Sequence, residues 1–305
     1  VLVLALVRLA DEYRAPTART LGFFGVGIGL AIGTRVLGGI GAIYALAGLV
    51  PLLAADIRAR GAREAFGRLG RFLLWLPPSF LLGYLVMGLL WPWSVLSPLN
   101  PFRALVYFSN FFEKPWKELF DGALIAVPDM PWTYLPTLFA FKLPEILGVL
   151  VCVGVILAIV EQARGDVPAR RRAAMLIVFF AAFFPLALAM VTHPALYNGI
   201  RHFIFVVPPM AVLGGVAFAW LFERVNARAR AGALALGLAG VAGLALPVEQ
   251  MIRLHPYQYT YFNHAAGTVR AADNRFMLDY WGLSLKQASE ALRARIAERG
   301  ETPPA

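Results

Sequence analysis

Thr192–Pro209 reads THPALYNGIRHFIFVVPP. An apolar run ends at its start, a short polar turn follows, and a second apolar run begins at Phe203. The turn carries His193, Tyr197, Asn198, Arg201 and His202. Polar groups gathered between two long apolar runs mark one edge of a bilayer, where water is available to charge and to unpaired backbone groups. An arginine supplies a planar fork of donors suited to phosphate, and a histidine adds a second donor or a proton. Interfacial anchoring explains any one of these residues alone. Their clustering favours an anion site.

Outward from this stretch the composition agrees. Of 305 residues, 59% are hydrophobic and 15% charged, against about 25% charged in soluble domains. Mean hydropathy is +0.67. The net charge of +10 sits in arginine blocks between apolar runs, which is a loop pattern and excludes a nucleic-acid face. The single cysteine, Cys152, lies inside an apolar run, so no disulfide framework exists. No secretory signal is visible, and the chain, beginning at Val1 within an apolar run, is expected to be a fragment lacking its N-terminal part.

Eight apolar segments are expected, the first incomplete: 1–9, 20–33, 36–54, 72–93, 138–160, 173–191, 203–222 and 231–247. The second and third read as a hairpin tipped by Gly33-Thr34-Arg35; one long tilted helix with a buried arginine is the alternative. Pro77-Pro78 predicts a kink in the fourth. Arginine-rich loops at 58–71, 164–172 and 224–230 fall on one side. The other side holds the loop 94–136, the Arg-His turn and all four histidines. Within that loop, 100–112 has the spacing of an amphipathic surface helix. The fold class is therefore all-α, a polytopic transmembrane helical bundle over 1–247. A polar extracytoplasmic tail over 248–305 reads as the start of a soluble domain. There, Ser284 and Gln287 suggest a capping box opening a helix to about Arg299, with Leu285, Ala288, Leu292 and Ile296 on one face.

The candidate binding residues are Arg35, Tyr197, Arg201, His202 and Lys142. Arg35 reads equally well as a snorkelling arginine. Lys142 and Glu145 read first as a local pair one turn apart, with Lys142 also a third cation for phosphate. The histidine spacings match no compact ligand motif, so no metal is expected. Glu113, Asp121, Asp129 and Asp279 read as solvated carboxylates.

Four stretches in order, GLAIGTR, PWTYLPTLFAFKLP, YNGIRHFIFVVPP and the tail with HPYQYTYFNH and FMLDYWGLS, resemble bacterial membrane glycosyltransferases of the GT-C class. They are akin to the family 39-like protein O-mannosyltransferases and the aminoarabinose transferase of lipid A. The resemblance covers nearly the whole chain. It implies sugar transfer from a polyprenyl-phosphate carrier to a glycan, lipid or protein acceptor at the outer face of the bacterial inner membrane. The lipid-linked sugar is then the donor substrate, and no further cofactor is called for. It also implies an acidic base in a first external loop, expected upstream of Val1, so the catalytic base is unknown and this piece is expected to be inactive alone. A transporter or flippase of a lipid-linked or anionic solute is the alternative, and a non-catalytic assembly subunit a third reading.

Overall fold

The computed structural model describes residues 1–109 and 116–299. It shows an all-α, multi-pass membrane bundle. Among the described residues, six helical segments are long and apolar enough to cross a membrane: Val36–Arg60, Ala62–Leu90, Glu145–Ala163, Ala169–Thr192, Arg201–Asn226 and Arg230–Arg253. One shorter apolar helix, α2 (Ala18–Thr34), and the ten-residue α1 (Leu2–Asp11) stand at the other two expected segments.

Glycine lets the first helices pack. Gly25, Gly29 and Gly33 recur every fourth residue of α2 and face α5 (Pro77–Leu90). A Cβ on Gly29 would lie 2.5 Å from the Val86 Cβ and 2.6 Å from the Gly83 carbonyl oxygen. Lipid tails are as apolar as leucine, so helices in a bilayer associate through such close backbone approach rather than through exclusion of water. Arg35 then breaks the helical run as expected, with extended backbone between α2 and a short 3-10 turn. The chain returns as α3 (Gly41–Arg60), so the hairpin forms and the single tilted helix does not.

The arginine block at 58–71 is not a loop. It occupies the end of α3 and an amphipathic helix, α4 (Ala62–Leu73), joined at Gly61. Ala65, Phe72 and the following Leu76 are buried, whereas Phe66, Leu74 and Trp75 are exposed. Apolar residues three and four apart gave this helix its inner face. Asp56 anchors it, with Arg68 at 3.3 Å and Arg14 at 3.9 Å. Pro77 does not kink a continuous span; it starts a new helix at its first turn, where the missing N–H costs nothing.

The long loop begins with α6 (Asn100–Ser109), the expected surface helix, with Phe102, Val106 and Tyr107 exposed; residues 110–112 lie outside the described residues. Further along the loop, β1 (Lys117–Phe120) and β2 (Ala123–Ala126) form an antiparallel hairpin. Asp121 and Gly122 both have positive φ, the requirement of a tight two-residue turn.

The segment 138–160 is also divided. α7 (Tyr134–Lys142) ends before Leu143-Pro144, and α8 (Glu145–Ala163) begins after it. Proline offers no N–H and forces the preceding Leu143 into extended backbone. The freed carbonyls are met by the tail. Asn263 Nδ2 donates to the Ala140 and Leu143 oxygens, each at 2.7 Å.

α9 (Ala169–Thr192), α10 (Val207–Asn226) and α11 (Arg230–Arg253) follow. α3 packs along α9, and α8 along α10. The last helix runs six residues past the boundary expected at 247. The tail beyond it is not separate from the bundle. Phe262 and Phe276 share one core with Phe120, Tyr134 and the α8–α10 side chains. A five-residue helix, α12 (Thr268–Ala272), and α13 (Leu285–Glu298) are the last helices among the described residues. The capping box does not form: the Ser284 hydroxyl bonds the Asp279 carboxylate instead. Leu285 and Leu292 remain exposed.

Gly29→Leu is expected to lower stability by about 1–3 kcal/mol or more through overpacking, read as a fall in melting temperature in detergent. Gly22→Leu, on the open face of the same helix where a Cβ meets nothing within 4 Å, should leave it unchanged.

Candidate functional site

The polar turn between α9 and α10 is built from backbone that ordinary residues avoid. His193 ends α9 in the left-handed region at φ 45°. Asn198 and Gly199 follow at φ 57° and 73°. Two successive left-handed residues turn their N–H groups to one side and form a concavity for an anion. Here the anion is internal. Asn198 N–H donates to Glu118 Oε2 at 2.7 Å, and Gly199 N–H donates to the Tyr134 hydroxyl at 3.0 Å. The Tyr134 hydroxyl donates in turn to Glu118 Oε1 at 2.6 Å.

Glu118 is only 2% exposed. Burial raises its pKa, and the hydrogen bonds from Tyr134, Asn198 and Gly199 with the nearby Arg201 charge hold it back. Burial likewise raises the Tyr134 phenol. The carboxylate thus clips the β-hairpin and α7 to the turn that carries Arg201.

Beyond this clip, four of the five residues expected at the site come together. The Arg201 guanidinium lies over Tyr197 at 5.0 Å, over Trp281 at 5.0 Å and beside Tyr280 at 5.8 Å. Its Nε donates to His202 Nε2 at 3.3 Å, which leaves the His202 proton on Nδ1. The rings of Tyr197 and His202 meet at 4.9 Å. Arg35 Nη1 donates to the His202 carbonyl at 3.2 Å, so both arginines open on one membrane edge. Among the described residues Arg201 makes no ion pair, and its two terminal nitrogens make no hydrogen bond. Rings around a guanidinium restrain it by cation–π attraction without neutralising it.

Lys142 stands next to this corner but is turned away. A Cβ on Gly199 would lie 3.7 Å from its Cε. Its ammonium donates to the Tyr259 and Tyr261 carbonyls at 3.2 and 3.3 Å and sits 4.0 Å over the Phe262 ring. The expected pair with Glu145 does not form. Glu145 Oε1 accepts the backbone N–H groups of His264 and Ala265 at 2.7 and 3.2 Å. The break at Pro144 aims the two side chains at different parts of the tail. Burial lowers the Lys142 pKa to about 8.

The carboxylates read as solvated are partly engaged. Asp279 accepts from Tyr259, from Ser284 and from the Leu283 N–H. Burial opposes its ionisation, yet these donors together lower its pKa. Asp121 pairs with Arg275; Asp129 is exposed, and Glu113 lies outside the described residues. Among the described residues no three His, Cys, Asp or Glu side chains converge on a metal-sized site.

The sequence reading passed over Glu118, Tyr280 and Trp281. Asp121-Gly122 between short alternating runs was the available hairpin signal, and it would have turned Glu118 inward. Nothing local marks Tyr280 and Trp281, which reach Arg201 from about 80 residues away. Comparison with protein-family models finds no match, and comparison with curated proteins finds none either.

Glu118→Ala is expected to destabilise by about 1–3 kcal/mol, because it strands the buried Asn198 N–H and Tyr134 hydroxyl; a thermal shift in detergent checks this, with Glu118→Gln losing less. For Lys142, folding disfavours the charged amine, so the unfolded chain binds more protons between about pH 8 and its ordinary 10.5. Stability should therefore fall as pH drops through that window and level off below about 8. Lys142→Met should remove the slope in an unfolding titration from pH 7 to 11.

Proposed function

We propose that this chain belongs to a membrane glycosyltransferase that moves a sugar from a polyprenyl-phosphate carrier to an acceptor at the outer face of the bacterial inner membrane. The observation that carries this reading is the Arg201 corner. A restrained guanidinium without an ion-pair partner among the described residues, with Arg35 bonded to the adjacent His202 carbonyl, lies at the membrane edge opposite the arginine blocks. The four stretches that resemble GT-C enzymes surround the same corner and support it.

In such a reaction the acceptor's hydroxyl oxygen attacks the anomeric carbon. The bond from that carbon to the phosphate oxygen breaks, and its electron pair leaves with the lipid phosphate. The hydroxyl proton passes to a general base. Arg201, with Arg35 beside it, stabilises the charge that grows on the departing phosphate. Fixed donors aimed at developing charge are the largest contribution of this kind of site. His202 holds the guanidinium through Nε2, and Tyr197 meets the His202 ring edge-on while its face lies under the guanidinium.

The base is not assigned. Glu118 and Asp279, on segments that meet at this corner, are both occupied by donors. Lys142 serves here as a clamp on the tail rather than as a third phosphate cation, since its ammonium already holds two carbonyls and a ring.

In membranes containing the protein together with the upstream acidic loop that the resemblance implies, transfer from a polyprenyl-phosphate-linked sugar should fall about 100-fold or more with Arg201→Ala. Arg35→Ala should produce a smaller fall. Unchanged transfer in Arg201→Ala would remove the corner from the reaction, and no transfer from any such donor by the wild-type protein with that upstream loop present would overturn the enzyme reading.

A further inference from the structure

At the opposite, basic edge, a cavity of about 410 Å³ lies between α1 and α2, lined by Arg8, Ala18, Arg19, Gly22, Phe23 and Val26. We propose that this furrow binds a phospholipid with an anionic phosphate head group, its acyl chain running along α2.

The lining has a direction. Arg19, Gly22, Phe23 and Val26 are spaced by three and four residues and share one face of α2. The charged end of the furrow is Arg8 and Arg19, at the arginine-rich edge. The apolar end is Val26, about 10 Å further into the bundle at 1.5 Å per residue. A phospholipid has the same order along its length, with phosphate at the edge and hydrocarbon inward. Gly22 forms the floor, since a Cβ there would meet nothing within 4 Å. On the α1 side, Leu4 is 51% exposed one turn before Arg8 and continues the apolar wall.

Neither Arg8 nor Arg19 makes an ion pair among the described residues. The Arg8 guanidinium is steadied over the Phe23 ring at 5.6 Å, and both line the furrow. Glu12, which feels the Arg8 charge, and Asp56 both have donors of their own. Glu12 Oε2 accepts the Thr17 N–H at 2.7 Å and its Oε1 accepts the Thr20 hydroxyl at 2.8 Å. Asp56 holds Arg14 and Arg68. Two guanidinium forks over an apolar channel therefore suit one phosphate and one chain.

The test is a titration of purified protein in detergent, with bound lipid counted by native mass spectrometry so that a lost fold is not mistaken for lost binding. The probes are phosphatidylglycerol, phosphatidylcholine and inorganic phosphate. Phosphatidylglycerol should bind about tenfold more tightly than phosphatidylcholine. Arg8→Ala with Arg19→Ala should abolish that preference, while Arg58→Ala with Arg63→Ala, on the same edge outside the furrow, should leave it intact. Gly22→Leu fills the channel and should expel the lipid while sparing any weak phosphate response. Equal binding of the two lipids, or retention of phosphatidylglycerol by the double alanine variant, overturns the proposal. So does a Gly22→Leu protein that still binds phosphatidylglycerol as the wild type does, because the chain would then lie elsewhere.

Discussion

Inside a bilayer, a backbone N–H or C=O without a partner costs several kcal/mol, and only a helix satisfies both within one segment. That constraint governs where this chain is allowed to break. The Gly33–Arg35 tip, the Leu143-Pro144 step and the 193–200 turn all lie at the aromatic edge, and each has its freed groups met there. Asn263 takes the carbonyls left by Pro144, and Glu118 with Tyr134 takes the N–H groups of the left-handed turn. Irregular backbone is affordable only beside such partners. The polar chemistry of the molecule accordingly gathers at the same few places.

The candidate site follows from this concentration. Glu118 first closes the hydrogen bonds of a strained turn; a consequence is that Arg201 leaves the turn in a fixed direction. Tyr197, Tyr280 and Trp281 then surround its guanidinium with rings rather than carboxylates. An ion pair would have cancelled the charge. An aromatic surround restrains it and leaves it available to an anion. The opposite edge solves a different problem. Asp56 and Glu161 neutralise some arginines, and Arg8 and Arg19 remain over an apolar furrow.

Much of the site was legible because the residues concerned are close in the chain or forced to the same edge. Tyr197, Arg201 and His202 fall within six consecutive positions, and Arg35 sits at a hairpin tip whose side is set by counting helices. Lys142 and Glu145 misled for a local reason. Spacing of three residues predicts a pair only if the helix is continuous, and Pro144 interrupts it. Glu118 was overlooked because a charged stretch in a loop reads as solvated unless its hairpin is recognised first.

The apolar run lengths and the positions of arginine and proline determined the multi-pass helical architecture, since a bilayer admits few alternatives and each span carries its own hydrogen bonds. They also determined that Arg35 and Arg201 share an edge. Tertiary structure alone decided which groups touch Arg201, where Lys142 points, and that the tail from 254 to 282 packs into the same core as the loop. Those contacts join positions about 80 to 160 residues apart, and no local periodicity encodes a contact whose partner is chosen by how the helices and the tail assemble.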